Sequence, residues 1–158
     1  MLSVTSISLV ADVRRFSGSR RQPQFAREIL AQALAAAGIK YQHFPDLGGR
    51  RTSRTPDSPN MAWRVESFNA YADHMLTPQF QAALVELEHL ATAQATTIMC
   101  AEALPWRCHR RLIADALVAR KWSVLDIYDI NKVKEHQFTE FAHVENGLVT
   151  YPGLLSGE

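Results

Sequence analysis

A single α/β domain, with a mainly parallel sheet and flanking helices, is the fold this sequence predicts. Three observations carry that expectation. Short apolar runs alternate with stretches of helical period, giving two strand–helix–strand units. Helical crossovers of this length normally join parallel strands. The 158 residues, 47% hydrophobic and 21% charged, suffice for one core and are ordinary for a globular chain. No repeat, low-complexity tract or domain boundary is visible, so residues 1–158 are read as one domain.

Residues 7–13 (Ile-Ser-Leu-Val-Ala-Asp-Val) read as a buried strand that turns polar at its end. A basic loop follows at 17–22, and Pro23 suits a first helical position. Phe25, Ile29, Ala33 and Ala37 recur every four residues, with Leu30 and Leu34 beside them, and Gly38 is a good helix stop. Residues 39–44 alternate as a strand. The Gly-, Arg- and Pro-rich stretch 46–67 has no period and reads as a long mobile loop. Phe68, Tyr71, Ala72 and Met75 mark a short helix. Thr77-Pro78 caps a longer one that buries Phe80, Leu84, Leu87 and Ala91. An apolar strand at 96–101, a helix carrying Leu112, Ile113, Ala116, Leu117 and Ala119, and a strand at 123–128 form the second unit. Asn146-Gly147 between strand-like runs predicts a hairpin over 143–151.

Composition narrows the function classes. No apolar run approaches the roughly 20 residues of a membrane helix, so no membrane partner is expected. Two cysteines are too few for a disulfide scaffold, and the first residues lack a basic leader region. A cytoplasmic location with reduced thiols is the expectation. The net charge of +1 hides an asymmetry: residues 1–64 hold ten Lys/Arg against four Asp/Glu, and residues 65–158 hold seven against twelve. Thirteen of the 17 basic residues are arginine, whose planar fork suits carboxylate and phosphate. That bias also follows from high-GC coding, and the near-neutral total is less basic than a dedicated nucleic-acid binder.

The candidate centre is the run 100–111, Cys-Ala-Glu-Ala-Leu-Pro-Trp-Arg-Cys-His-Arg-Arg, at a strand-to-helix turn. In open parallel sheets ligands bind beyond the carboxyl ends of the strands. That rule gathers Asp12 and Arg14, then His43 with the Gly48-Gly49-Arg50 loop, then Glu102 and Cys108-His109-Arg110, on one rim. Two readings of Cys108 stand: a thiolate favoured by a helix N-terminus and neighbouring cations, or a buried core cysteine. Glu102 is a general base or an ion-pair partner of Arg14 or Arg110. Arg14, Arg20, Arg50 and the helix N-terminus would cradle a phosphate, although no P-loop run is present. A zinc site from Cys100, Cys108, His109 and His43 lacks a usual ligand spacing, so neither metal nor cofactor is predicted. His74, His89 and His136 read as solvated residues.

Asp12-Val-Arg14 with Ser19-Arg20, Leu47-Gly48-Gly49-Arg50, Phe68-x-x-Tyr71-Ala72-x-x-Met75 and Cys100-Ala-Glu102-x-x-Pro105-x-x-Cys108-His109-Arg110 resemble the family called domain of unknown function 488. The tail His136-x-x-Thr139-x-Phe141-Ala142 is similar to that family's C-terminus. The resemblance implies a Rossmann-like fold and carries no established activity. It transfers the motif positions Asp12, Arg14, Ser19, Arg20, Gly48, Gly49, Arg50, Tyr71, Cys100, Glu102, Cys108, His109 and Arg110 as site positions. Members carry a proline where Ser17 stands here, and they begin with a further strand and helix ahead of the Asp-Val-Arg motif. That first strand and helix are missing from this reading of the chain. A bare sheet edge would follow, implying a homodimer.

Together these expectations describe an enzyme acting on an anionic, phosphate- or nucleotide-like ligand. Glu102, Cys108 and Asp12 would supply the chemistry, and the arginines would bind. The alternatives are a non-catalytic nucleic-acid or nucleotide-binding module, and a thiol redox sensor built on Cys100 and Cys108.

Overall fold

The computed structural model describes residues 7–14, 27–48, 58–63, 66–100, 108–129 and 132–152. The chain forms two compact units that interleave along the sequence: Met1–Gly48 with Gln81–Ala101, and Gly49–Phe80 with Glu102–Glu158. Among the described residues no helix is long and apolar enough to cross a membrane.

The first unit is a three-stranded parallel sheet with helices. Strand β1 (Leu9–Asp12) lies between β2 (Lys40–His43) and β3 (Thr96–Met99), pairing in parallel with both. β1 is buried throughout, as its unbroken apolar run requires in a central parallel strand. Helix α1 (Arg27–Ala36) makes the crossover from β1 to β2. Of the predicted apolar face, Leu34 is buried and Leu30 partly so, whereas Ile29, Ala33 and Ala37 are exposed. Leu34 packs with Val10 and Ile39, flanked by Leu30, Tyr41 and Met99. Gly38, at φ +78°, ends α1 in a Schellman turn: Ile39 N–H donates to the Leu34 carbonyl and Gly38 N–H to that of Ala35.

The predicted loop 46–67 is shorter at both ends. Pro45–Leu47 winds one 3-10 turn, and helix α2 (Glu66–His74) has already begun. Thr77 caps helix α3 (Pro78–Ala93) as predicted, its hydroxyl accepting the Phe80 N–H at 3.3 Å. Phe80, Leu84 and Leu87 are buried on it.

The second unit holds α2, the start of α3, α4 (Arg110–Ala119) and four short strands. Here the expected second parallel crossover is corrected. Strand β4 (Leu125–Asp129) pairs antiparallel with β5 (Lys132–Glu135) and is not a member of the parallel sheet. Only two residues separate these strands, and so short a link permits an antiparallel return alone. Strand β5 (Lys-Val-Lys-Glu) was missed because its side chains are exposed and mostly charged. Strands β6 (His143–Glu145) and β7 (Leu148–Thr150) form the predicted hairpin, with Asn146 and Gly147 at φ +53° and +77°. Both turn residues therefore lie in the left-handed region that a type I′ turn demands.

α4 ends in the same Schellman pattern as α1, but with Lys121 at φ +74° in the glycine position. Trp122 N–H donates to the Leu117 carbonyl and Lys121 N–H to that of Val118. A side chain in that conformation costs about 1–2 kcal/mol, against roughly 0.5–1 kcal/mol for the extra chain entropy of glycine. Lys121→Gly is expected to stabilise the protein by about 0.5–1 kcal/mol. An unchanged or lower denaturation midpoint would refute this.

Candidate functional site

In the first unit, the carboxyl ends of the strands bring together several of the predicted residues. Asp12 is in register with both His43 and Met99, so Arg14, His43 and Cys100 all follow at or beyond one end of the sheet. The Asp12 side chain is fully buried. Its carboxylate accepts the Arg14 Nε–H at 2.9 Å, an Nη2–H at 2.7 Å and the Arg14 backbone N–H at 3.0 Å. The Tyr41 hydroxyl also donates to it. Burial alone would raise the Asp12 carboxyl, but the hydrogen bonds from Arg14 and Tyr41 outweigh it and hold the group below its ordinary value. Burial and the same carboxylate push the Tyr41 phenol well up. The His43 ring nitrogen Nε2 lies 2.5 Å from the Arg14 carbonyl. Arg14 is thus held by an internal carboxylate, and the Gly48 N–H closes on the Pro45 carbonyl at 3.0 Å.

The second unit assembles another group of predicted residues. Cys108 and His109 stand at the entry to α4, both buried. Cys108 Sγ accepts the Arg110 backbone N–H and the Arg110 Nε–H, each at 3.4 Å, and lies 3.5 Å from His109 Nδ1. The His109 ring tilts against Tyr71 at 5.0 Å between centroids. Tyr71, His74 and Phe80 pack edge to face with one another, so α2 and the start of α3 support this side of the site. The local sequence explains the sulfur's setting. The first N–H groups of a helix have no partner within it, and a sulfur just before the first turn can accept one. A guanidinium two residues on can fold back to the same atom. Within this unit Cys108 and His109 offer two of the four ligands that a structural zinc requires.

Sequence reasoning missed a buried polar network in the same unit. Asp115 lies in the middle of α4 with no exposed surface. It accepts from His136 Nε2 at 2.8 Å, from the Thr139 backbone N–H at 3.1 Å and from the Tyr151 hydroxyl at 2.8 Å. The other His136 nitrogen, Nδ1, meets Asp126 at 2.8 Å. His136 is therefore buried between two carboxylates, which corrects its reading as a solvated residue. Burial would lower its pKa, but the hydrogen bonds to Asp115 and Asp126 raise it to about 9. A charged imidazole donates from both nitrogens, as this geometry needs. Burial and the Asp115 charge push the Tyr151 phenol far up. A signal existed: Asp115 stands three residues from Leu112 on the apolar face of α4, where a charge must be paired.

Residues 58–63 join this unit from the long loop. Asn60 Oδ1 accepts the Tyr151 N–H at 2.8 Å, and the Ala62 N–H returns to the Tyr151 carbonyl at 3.0 Å. Trp63 is buried edge-on against Phe68, Phe141 and Tyr151, with the Arg111 guanidinium 5.4 Å above its ring. Ser19, Arg20, Gly49, Arg50 and Glu102 lie outside the described residues.

No curated protein and no solved structure matches the chain. The family model described as Domain of unknown function DUF488 matches residues 1–117, which takes in both strand-end motifs and the Cys108–Arg110 turn. The match covers well over half of the chain, and the protein belongs to that family.

Proposed function

We propose that this protein is an enzyme acting on an anionic, phosphate- or nucleotide-like ligand, with Cys108 as its nucleophile. The observation that carries this reading is the Cys108 sulfur, which accepts hydrogen bonds from both the backbone and the guanidinium of Arg110. Two N–H donors, one of them cationic, favour the thiolate over the thiol, and the thiolate is the reactive form. His109, adjacent to the sulfur, is the proton carrier in this reading. The cationic surroundings that stabilise a thiolate also attract a negatively charged substrate. Glu102 and Asp12 remain the proposed acid–base groups, and Arg20 and Arg50 further anion contacts. A binding module that performs no chemistry would need the arginines without an activated sulfur.

Alkylation of the Cys100→Ser variant tests this. The Cys108 rate with iodoacetamide is expected to level off well below pH 8.5, the ordinary thiol value. Inorganic phosphate should slow the reaction saturably. Arg110→Gln should move the inflection upward. A rate that climbs with pH as for a free thiol, untouched by phosphate, would remove the nucleophile from the reading.

A further inference from the structure

Trp63 and Arg111 present an unmet demand for an acceptor. Trp63 is 7% exposed, and its indole N–H has no hydrogen-bond partner among the described residues. Roughly 90% or more of buried polar groups are satisfied, so an orphan of this kind asks for a reason. The ring cannot turn to find one, because Phe68, Phe141 and Tyr151 pack edge-on at centroid distances of 5.1, 4.8 and 5.3 Å. Beside it stands a guanidinium with capacity to spare. Arg111 Nε donates to Thr139 Oγ1 at 2.9 Å, and its Cζ lies 5.4 Å from the centre of the indole ring. The two terminal nitrogens of Arg111 have no partner among the described residues.

The neighbouring carboxylates do not absorb this charge. Asp115, one turn on, has its oxygens committed to His136, Thr139 and Tyr151, and Asp126 is committed to His136. Arg111 also sits in the first turn of α4, where the helix dipole adds positive potential. An N–H donor and a guanidinium fork, with no acceptor of their own, select a group that only accepts. A carboxylate or phosphate oxygen is such a group, whereas an ammonium is not.

We propose that the Trp63 indole N–H and the Arg111 guanidinium form an oxyanion-binding subsite in the second unit. It rests on the anionic-ligand part of the function proposed above and not on the reactivity of Cys108. The subsite takes a phosphate or carboxylate group of the ligand.

Indole resonances of the 15N-labelled protein read the subsite directly. Trp63→Phe keeps the aromatic packing and identifies the Trp63 signal by its loss; Trp106 and Trp122 serve as internal controls. Titration with inorganic phosphate, and separately with acetate, both against sodium chloride at equal ionic strength, should shift the Trp63 signal saturably. Whichever anion does so names the class. Arg111→Gln should weaken binding at least tenfold while the spectrum stays dispersed, and Arg111→Lys should retain part of it. A Trp63 signal that neither anion moves beyond the chloride control, or equal affinity in Arg111→Gln, would overturn the subsite. If Trp63 is silent while phosphate still protects Cys108, the subsite falls and the enzyme reading stands. If Trp63 responds while Cys108 titrates as an ordinary thiol, the reverse holds.

Discussion

Asp115→Ala is expected to destabilise the protein by about 3–5 kcal/mol, the range for removing one partner from a buried charged pair. The loss exceeds that of one hydrogen bond because three donors depend on this carboxylate: His136, the Thr139 backbone N–H and the Tyr151 hydroxyl. Each is left in a site closed to water, and a buried unsatisfied group costs about 1–3 kcal/mol. Whole-domain stabilities are only about 5–15 kcal/mol, so a large share of the folded population is at stake. Asp115→Asn keeps the volume and one acceptor, and should cost clearly less. Urea unfolding measures both: the midpoint should fall with little change in slope. His136→Ala combined with Asp115→Ala should be less harmful than the sum of the two, because the residues share one network. A midpoint for Asp115→Ala close to wild type would mean that water reaches the site and the network carries little.

The second expectation concerns pH. His136 titrates near 9 in the folded protein, against an ordinary value of 6.5. Below about pH 6.5 both folded and unfolded chains hold the proton, and the full contribution is present. As pH rises, the unfolded chain releases the proton first, which favours unfolding, and the contribution is lost as pH passes through 9. The difference in pKa corresponds to about 3 kcal/mol. Unfolding free energy should therefore decline from pH 6.5 to pH 9, and the decline should be absent in His136→Gln. A wild-type slope equal to that of the variant over this range would show that the histidine is not held charged.

Much of the first unit was legible in the sequence, for a physical reason. A central parallel strand is buried on both faces, so Leu9–Asp12 had to read as an apolar run ending in a charge. Gly38 and Thr77-Pro78 mark helix ends through backbone chemistry that needs no tertiary context. Cys108, His109, Arg110 and Tyr71 were all singled out beforehand; the first three lie together at the start of α4, and Tyr71 packs against His109 from α2. Asp12 and Arg14 were identified too, but not their pairing, because residues two apart can meet or diverge according to a local turn. The polar network was harder to read. Its members come from α4, from β4, from the chain after β5 and from the chain after β7, and no local pattern links positions 115, 126, 136 and 151. β5 was invisible because exposed charged residues do not alternate in a strand's usual way.

The interleaving of the two units bears on how the protein is born. The first is complete in sequence by Ala101, before much of the second has been synthesised. The second contains Gly49–Phe80 but also needs Glu102–Glu158. Asn60 waits for Tyr151, ninety-one positions later, and Trp63 waits for Phe141. At about 5–20 residues per second, translation leaves that aromatic segment without its partners for several seconds.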